Sequence, residues 1–240
     1  MASFELAWRQ GMNGIEFDVQ LSSDDVPMVI HDPRLARTTS GCGWVWEHRA
    51  SVLRRLDAGS WFNRRHRLRA RERYAGLRIP LLAEVLQWVK VRQCLAYVEI
   101  KDYRPAAVAT VLREIERADL LHLVQVVSFD LPSLEQIRQS NKQARLGWDF
   151  SGRLLPIRRA LALGADTLLP HWAIASRGLI QRAHGERLRV VPWTVDYPLH
   201  MRRKILDGAD GLITNYPARL TAVLDRFEQG RAKGRELNAV

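Results

Sequence analysis

A chain of 240 residues that is 47% hydrophobic and 26% charged is long enough for one large core and too apolar for a disordered segment. No run approaches the roughly 20 apolar residues that a membrane-spanning helix needs, and the formal net charge of +11 points to an anionic partner. Cys42 and Cys94 are two and far apart, which excludes a disulfide framework or a cysteine zinc site; without a leader-like pattern in MASFELAWRQ, the expectation is a cytoplasmic protein.

In chain order, Ser3 to Gln10 suits a short amphipathic helix ended by Gly11. The stretch Gly14 to Asp32, GIEFDVQLSSDDVPMVIHD, then reads as two short strands. Side chains two apart on a strand share a face, so Glu16 and Asp18 point one way while Ile15, Phe17 and Val19 point the other. Two adjacent carboxylates on an apolar strand need a compensating cation, and a hard divalent ion supplies it. His31 follows the turn-like Ser22 to Asp25 and the short strand Pro27 to Ile30. It is placed to fold back as an acid/base group beside that ion.

From Asp32 to Arg78 the chain is irregular, long enough to be a functional loop or a small inserted subdomain. Arg64, Arg65, Arg67, Arg69, Arg71, Arg73 and Arg78 crowd the segment from Arg64 to Arg78, whose one acid is Glu72. No helix-turn-helix pattern or zinc-finger spacing accompanies them, so a solvated insertion is a better reading than a nucleic-acid site. An anionic membrane surface or a phosphorylated substrate would also be served. Beyond Pro80 helices and strands alternate. Helices are expected at Leu82 to Val91, Pro105 to Arg117, Leu131 to Gln139, Leu154 to Leu163, Arg177 to His184, Pro198 to Leu206 and Pro217 to Glu228. Strands are expected at Leu95 to Lys101, Leu123 to Phe129, Arg145 to Asp149, Thr167 to Leu169, Arg189 to Val195 and Gly211 to Thr214. Alternation of this kind means crossovers and a parallel sheet. Asp130 is a candidate cap, Gly164, Gly185 and Gly208 are candidate left-handed helix ends, and Gln229 to Val240 reads as a flexible tail. In YVEIK, Glu99 and Lys101 share one strand face, which adds a third carboxylate and an ammonium.

Several motifs fall in one order. The run IEFDVQLSSDDVPMVIHD followed by RLARTTSGCG, then AGSWF, IPL, YVEIK, VPWTV and DGLITNYP resembles the glycerophosphodiester phosphodiesterase family over essentially the whole chain from Phe4 to about Leu224. The resemblance implies an α/β fold, a TIM-type (β/α)8 barrel over residues 1–228 with an insertion at 32–78, ahead of the tail at 229–240. It implies a metal-dependent phosphoric diester hydrolase that converts glycerophosphodiesters to sn-glycerol 3-phosphate and an alcohol. Magnesium or calcium would be held by Glu16, Asp18 and Glu99. His31 and Lys101 would be catalytic, with Lys101 and Trp193 contacting the substrate. Asn215 stands where the family's closing strand usually carries an aspartate.

The family pattern also carries a first strand with His-Arg-Gly, which has no counterpart here. The expectation is a barrel short of that strand and of one acid/base histidine, with little or no phosphodiesterase activity from residues 1–240 alone. His48, His66, His122, His171, His184 and His200 match no family catalytic position, although His171 ends a strand. Two other readings stand beside the hydrolase: a lyase of the phospholipase-D-toxin type, and a non-catalytic barrel that binds phosphodiesters or nucleic acid. The expected partner is a small-molecule glycerophosphodiester, with nucleic acid disfavoured.

Overall fold

The computed structural model describes residues 1–152 and 156–237. Its elements run α1 (Ala2–Arg9), β1 (Gly14–Leu21), β2 (Pro27–Val29), α2 (Ala50–Leu53), α3 (Ser60–Arg65), α4 (Leu82–Arg92), β3 (Leu95–Ile100), α5 (Pro105–Arg117) and β4 (Val124–Ser128). They continue with α6 (Leu131–Ser140), β5 (Arg145–Phe150), α7 (Pro156–Leu163), β6 (Thr167–Pro170), α8 (Arg177–Gly185), β7 (Arg189–Val190), α9 (Pro198–Asp207) and α10 (Pro217–Leu237). The chain divides into two compact units. One holds Met1–Ala2 and Gly14–Arg145, the other Ser3–Asn13 and the chain from Leu146 onward.

In the first unit β1 pairs in parallel with β3, and β3 with β4, while β2 runs antiparallel along β1 with Val19 opposite Val29. The parallel strands are joined by helices, as βαβ crossovers require. Helix α4 buries Leu82, Val85, Leu86 and Val89, the 0, 3, 4, 7 spacing that puts one face on a sheet. Helix α5 begins with proline, whose missing N–H costs nothing in a first turn, and buries Val108, Val111, Leu112 and Ile115. Strand β4 is buried throughout, as a strand covered on both faces must be. Asp130 caps α6 by accepting the Ser133 N–H at 2.9 Å.

Residues 32–78 contain α2, α3 and several 3-10 turns. Leu35, Val45, Ala50, Leu53 and Ile79 pack with Met28 and Ile30 into a cluster of buried apolar side chains, which gives this stretch a core of its own. Arg54 fastens it to α4, donating to both oxygens of Glu84 at 2.6 and 2.9 Å and to the Ile79 carbonyl at 2.8 Å.

In the second unit β5, β6 and β7 are parallel, with Gly147 opposite Thr167 and Thr167 opposite Arg189. The expected strand from Arg189 to Val195 stops at Val190, and Gly211 to Thr214 forms no strand. Pro192 has no N–H to extend a ladder. Only single bonds run alongside, from the Asp210, Ile213 and Val195 N–H groups to the Val190, Pro192 and Ile213 carbonyls. Gly164 and Gly208 take positive φ, but Gly185 is the last residue of α8 and the left-handed turn falls at Arg187 (φ 61°). Helix α10 runs past Glu228 to Leu237, so the expected tail is helical over Gln229 to Leu237. Residues 238–240 of that tail, and Leu154 and Leu155 of the helix expected there, lie outside the described residues.

Candidate active site

Pairing β1 with β3 in parallel sets Asp18 opposite Glu99. Parallel partners project to the same face, and Glu16 lies two residues before Asp18, so three carboxylates share that face. The opposite face carries Ile15, Phe17 and Val19, which are buried in the core. One oxygen from each of Glu16, Asp18 and Glu99 lies within 4.8 Å of the other two. The sequence-predicted metal ligands therefore meet.

Lys101 follows β3 and returns over the same cluster. Its Nζ stands 2.5 Å from Glu99 Oε1 and 3.4 Å from Asp18 Oδ1, and 5.4 Å from the centre of the Phe129 ring. Burial disfavours the Lys101 ammonium, but Glu99 and Asp18 outweigh it and raise its pKa. Burial acts on the acids in the opposite direction. Glu99 is 7% exposed, and desolvation, joined by Asp18, pushes its carboxyl up to about 7 against the pull of Lys101. Glu16 is driven well above the ordinary range, by desolvation first and then by Asp18 and Glu99. One ammonium does not neutralise three packed carboxylates. Glu99 Oε1 is buried and, although close to Lys101, lacks a hydrogen bond of good geometry. An all-oxygen donor set in which three carboxylates crowd one ammonium fits a hard divalent cation.

His31 begins the turn after β2. The Ile30 N–H donates to the Asp18 carbonyl at 3.0 Å, and the buried Gln20 amide donates to the His31 carbonyl at 2.8 Å and the Ile30 carbonyl at 3.2 Å. The backbone bearing His31 is thus tied to the strand that carries Glu16 and Asp18. Its ring is exposed, with Nδ1 2.6 Å from Asp32 Oδ1. Arg37 pairs with both oxygens of Asp32, and chiefly for that reason the Asp32 carboxyl is held down at about 2. An ionised carboxylate only accepts, so Nδ1 carries the proton and Nε2 is left as the basic nitrogen.

Asp32 and Arg37 had no assigned role in the sequence reading. Their signal was the acid directly after His31 and the arginine of LARTT. Asp102 was also missed; it accepts the Leu21 N–H at 3.3 Å and is clamped by Arg104 at 2.5 Å, which anchors the start of the loop after Lys101.

In the second unit Trp193 is half-buried, and its Nε1–H donates to the Leu169 carbonyl at 2.8 Å. The His171 ring stands edge-on to it at 5.2 Å, and the two residues bridge in parallel beyond the ends of β6 and β7. Of the remaining histidines, His184 bonds Asp210 at 2.9 Å and His48 lies 3.0 Å from the Cys42 carbonyl. His66 packs on Phe62 and His200 on Trp172.

A family model described as the glycerophosphoryl diester phosphodiesterase family matches residues 1–219. A glycerophosphodiester phosphodiesterase of Caldanaerobacter subterraneus is 32% identical over 224 residues, covering 92% of this chain and 89% of its own. Another, of Bacillus subtilis, is 29% identical, covering 90% of this chain and 78% of its own. A solved glycerophosphodiester phosphodiesterase from Agrobacterium tumefaciens matches with a TM-score of 0.78 at 26% identity, over 92% of this chain and 91% of that one. An Oleispira antarctica phosphodiesterase solved in complex with the product sn-glycerol-3-phosphate matches with a TM-score of 0.84 at 23% identity, over 93% and 90%. The chain therefore has the α/β TIM-type barrel fold expected from its sequence. No helix of the described residues is long and apolar enough to cross a membrane.

Proposed function

The chain belongs to the glycerophosphoryl diester phosphodiesterase family, and we propose that it hydrolyses glycerophosphodiesters to sn-glycerol 3-phosphate and an alcohol at the site built on Glu16, Asp18, Glu99, Lys101 and His31. The observation that carries this reading is the meeting of three carboxylates within 4.8 Å on the strand face that also bears Lys101. Glu16, Asp18 and Glu99 would hold magnesium or calcium, which all-oxygen ligation favours over zinc. When bound, such an ion supplies a Lewis acid that neutralises phosphate oxygens and polarises a substrate hydroxyl.

The chain's own residues divide the remaining work. Lys101, fixed by Glu99 and Asp18, places a permanent positive charge where the transferring phosphoryl group accumulates negative charge. His31, its Nδ1–H held by Asp32, presents Nε2 to take a proton and return it. Asp32, kept ionised by Arg37, stabilises the imidazolium formed between those two transfers. Trp193 is assigned to substrate contact by its place in VPWTV and by its half-exposed ring beside His171. A cytoplasmic location is supported by the free thiols of Cys42 and Cys94, which suit a reducing compartment.

The test is release of sn-glycerol 3-phosphate from glycerophosphocholine by the purified chain with magnesium or calcium, and its loss when the metal is chelated. Accumulation of a cyclic phosphate as the final product would make the protein a lyase. Saturable binding of glycerophosphocholine without any turnover would make it a binding barrel.

A further inference from the structure

The insertion carries a feature that the hydrolytic chemistry does not use. Trp61, Phe62, His66 and Tyr74 form a packed aromatic base, with Phe62 against His66 at 4.7 Å and edge-on to Tyr74 at 5.7 Å. Beside it, the Asn63 side chain ties Arg71 back to α3, closing off residues 64–70, which include the last two residues of that helix and a 3-10 turn. Its Oδ1 accepts the Arg71 N–H at 3.0 Å and its Nδ2 donates to the Arg71 carbonyl at 2.9 Å. The segment so pinned displays Arg64, Arg65, Arg67 and Arg69, all exposed, and contains no acid. Arg64, Arg65 and Arg67 have no carboxylate partner among the described residues. Leu68, at 99% exposure, stands between two of these arginines.

A lone exposed leucine is ordinary. A fully exposed leucine amid four arginines, on a segment whose ends are tied down, matches an interfacial anchor: basic side chains reach lipid phosphates while the apolar one enters the acyl boundary. Double-stranded DNA would use the arginines but gives Leu68 no apolar environment to enter, and the segment is neither a recognition helix nor a β-ribbon.

We propose that residues 64–70 dock the protein onto anionic phospholipid bilayers, with the arginines supplying attraction and Leu68 insertion. The experiment is cosedimentation of the full chain with phosphatidylcholine vesicles containing or lacking about 30% phosphatidylglycerol. Binding is expected only to the anionic vesicles and should weaken as salt rises. The triple variant R64E/R65E/R67E should bind at least about a hundredfold more weakly, given the attraction that each basic residue contributes near such a surface. R64Q/R65Q/R67Q should show about half that loss on a logarithmic scale, and L68S about a tenfold loss with unchanged salt dependence. Divalent-metal titration of each variant should match the parent, which reports folding independently of lipid. Equal binding to neutral vesicles, a triple variant that binds like the parent, or an L68S protein that binds like the parent would overturn the proposal. So would binding to double-stranded DNA that is tighter than binding to vesicles and insensitive to L68S.

Discussion

Two charged regions of the first unit behave oppositely. Glu16, Asp18 and Glu99 are withdrawn from water and crowded within 4.8 Å, so burial and mutual repulsion lift Glu16 and Glu99 toward neutrality. Arg64, Arg65 and Arg67 lie close together along the chain, yet they stand in solvent where like charges are screened. The lesson is that burial, more than the count of charges, turns a cluster into a chemical site. Desolvated carboxylates store unfavourable free energy that a bound cation releases, and solvated arginines store little.

The sharpest way to break this comparison is to remove one buried acid. Glu16→Gln should lower turnover of glycerophosphocholine by about 10³-fold or more, equivalent to roughly 4 kcal/mol. Glycerol 3-phosphate release under saturating metal measures it, and a loss of under tenfold would detach Glu16 from the chemistry. Lys101→Met should cost about 10²-fold in kcat without weakening metal binding, because the ammonium competes with the metal for Glu99 and Asp18. Metal affinity falling together with kcat would show Lys101 to be scaffolding.

The stored energy should also appear as a pH dependence of stability. In the metal-free protein Glu99 titrates near 7, against an ordinary value of 4.5. The folded chain therefore binds more protons than the unfolded chain between those values. Stability is fully present below about pH 4.5 and is lost as pH rises through 7, by up to about 3 kcal/mol for this group. Urea denaturation at pH 5 and pH 8 measures it. Glu99→Gln should reduce the difference, leaving the part that the raised Glu16 contributes, and saturating metal should flatten it; a metal-free parent that gains stability across that window would contradict the assignment. The smallest effect belongs to the half-exposed clamp between Arg54 and Glu84. Arg54→Met should cost about 1 kcal/mol, read as a lowered Tm with turnover unchanged.

Much of this site is legible in the sequence because strand alternation is local. The spacing of Glu16 and Asp18, and of Glu99 and Lys101, fixes which side chains share a face before any fold is known. What the spacing cannot supply is register. That Asp18 lies opposite Glu99 depends on pairing between strands some 80 residues apart, a long-range contact with no local signature; there the resemblance carried the reading. The clamp of Arg37 on Asp32 was missed for a related reason, since a short irregular segment gives no period from which to infer that two side chains meet. Secondary structure failed where local and tertiary terms compete. The run Arg189 to Val195 is strand-like in composition, but Pro192 interrupts the ladder, and Gly211 to Thr214 loses its strand with it. The tail expected from Gln229 is helical to Leu237 even though α10 passes through Gly230 and Gly234, each of which costs a helix about 1 kcal/mol relative to alanine.

The central claim is that Glu16, Asp18 and Glu99 form one metal site, and calorimetric titration of the metal-free protein with magnesium and with calcium tests it most directly. The parent should bind one ion, and Glu16→Gln and Glu99→Gln should each lose that binding while keeping the parent's far-ultraviolet circular dichroism. Variants that remain folded and bind both ions as tightly as the parent would contradict the account.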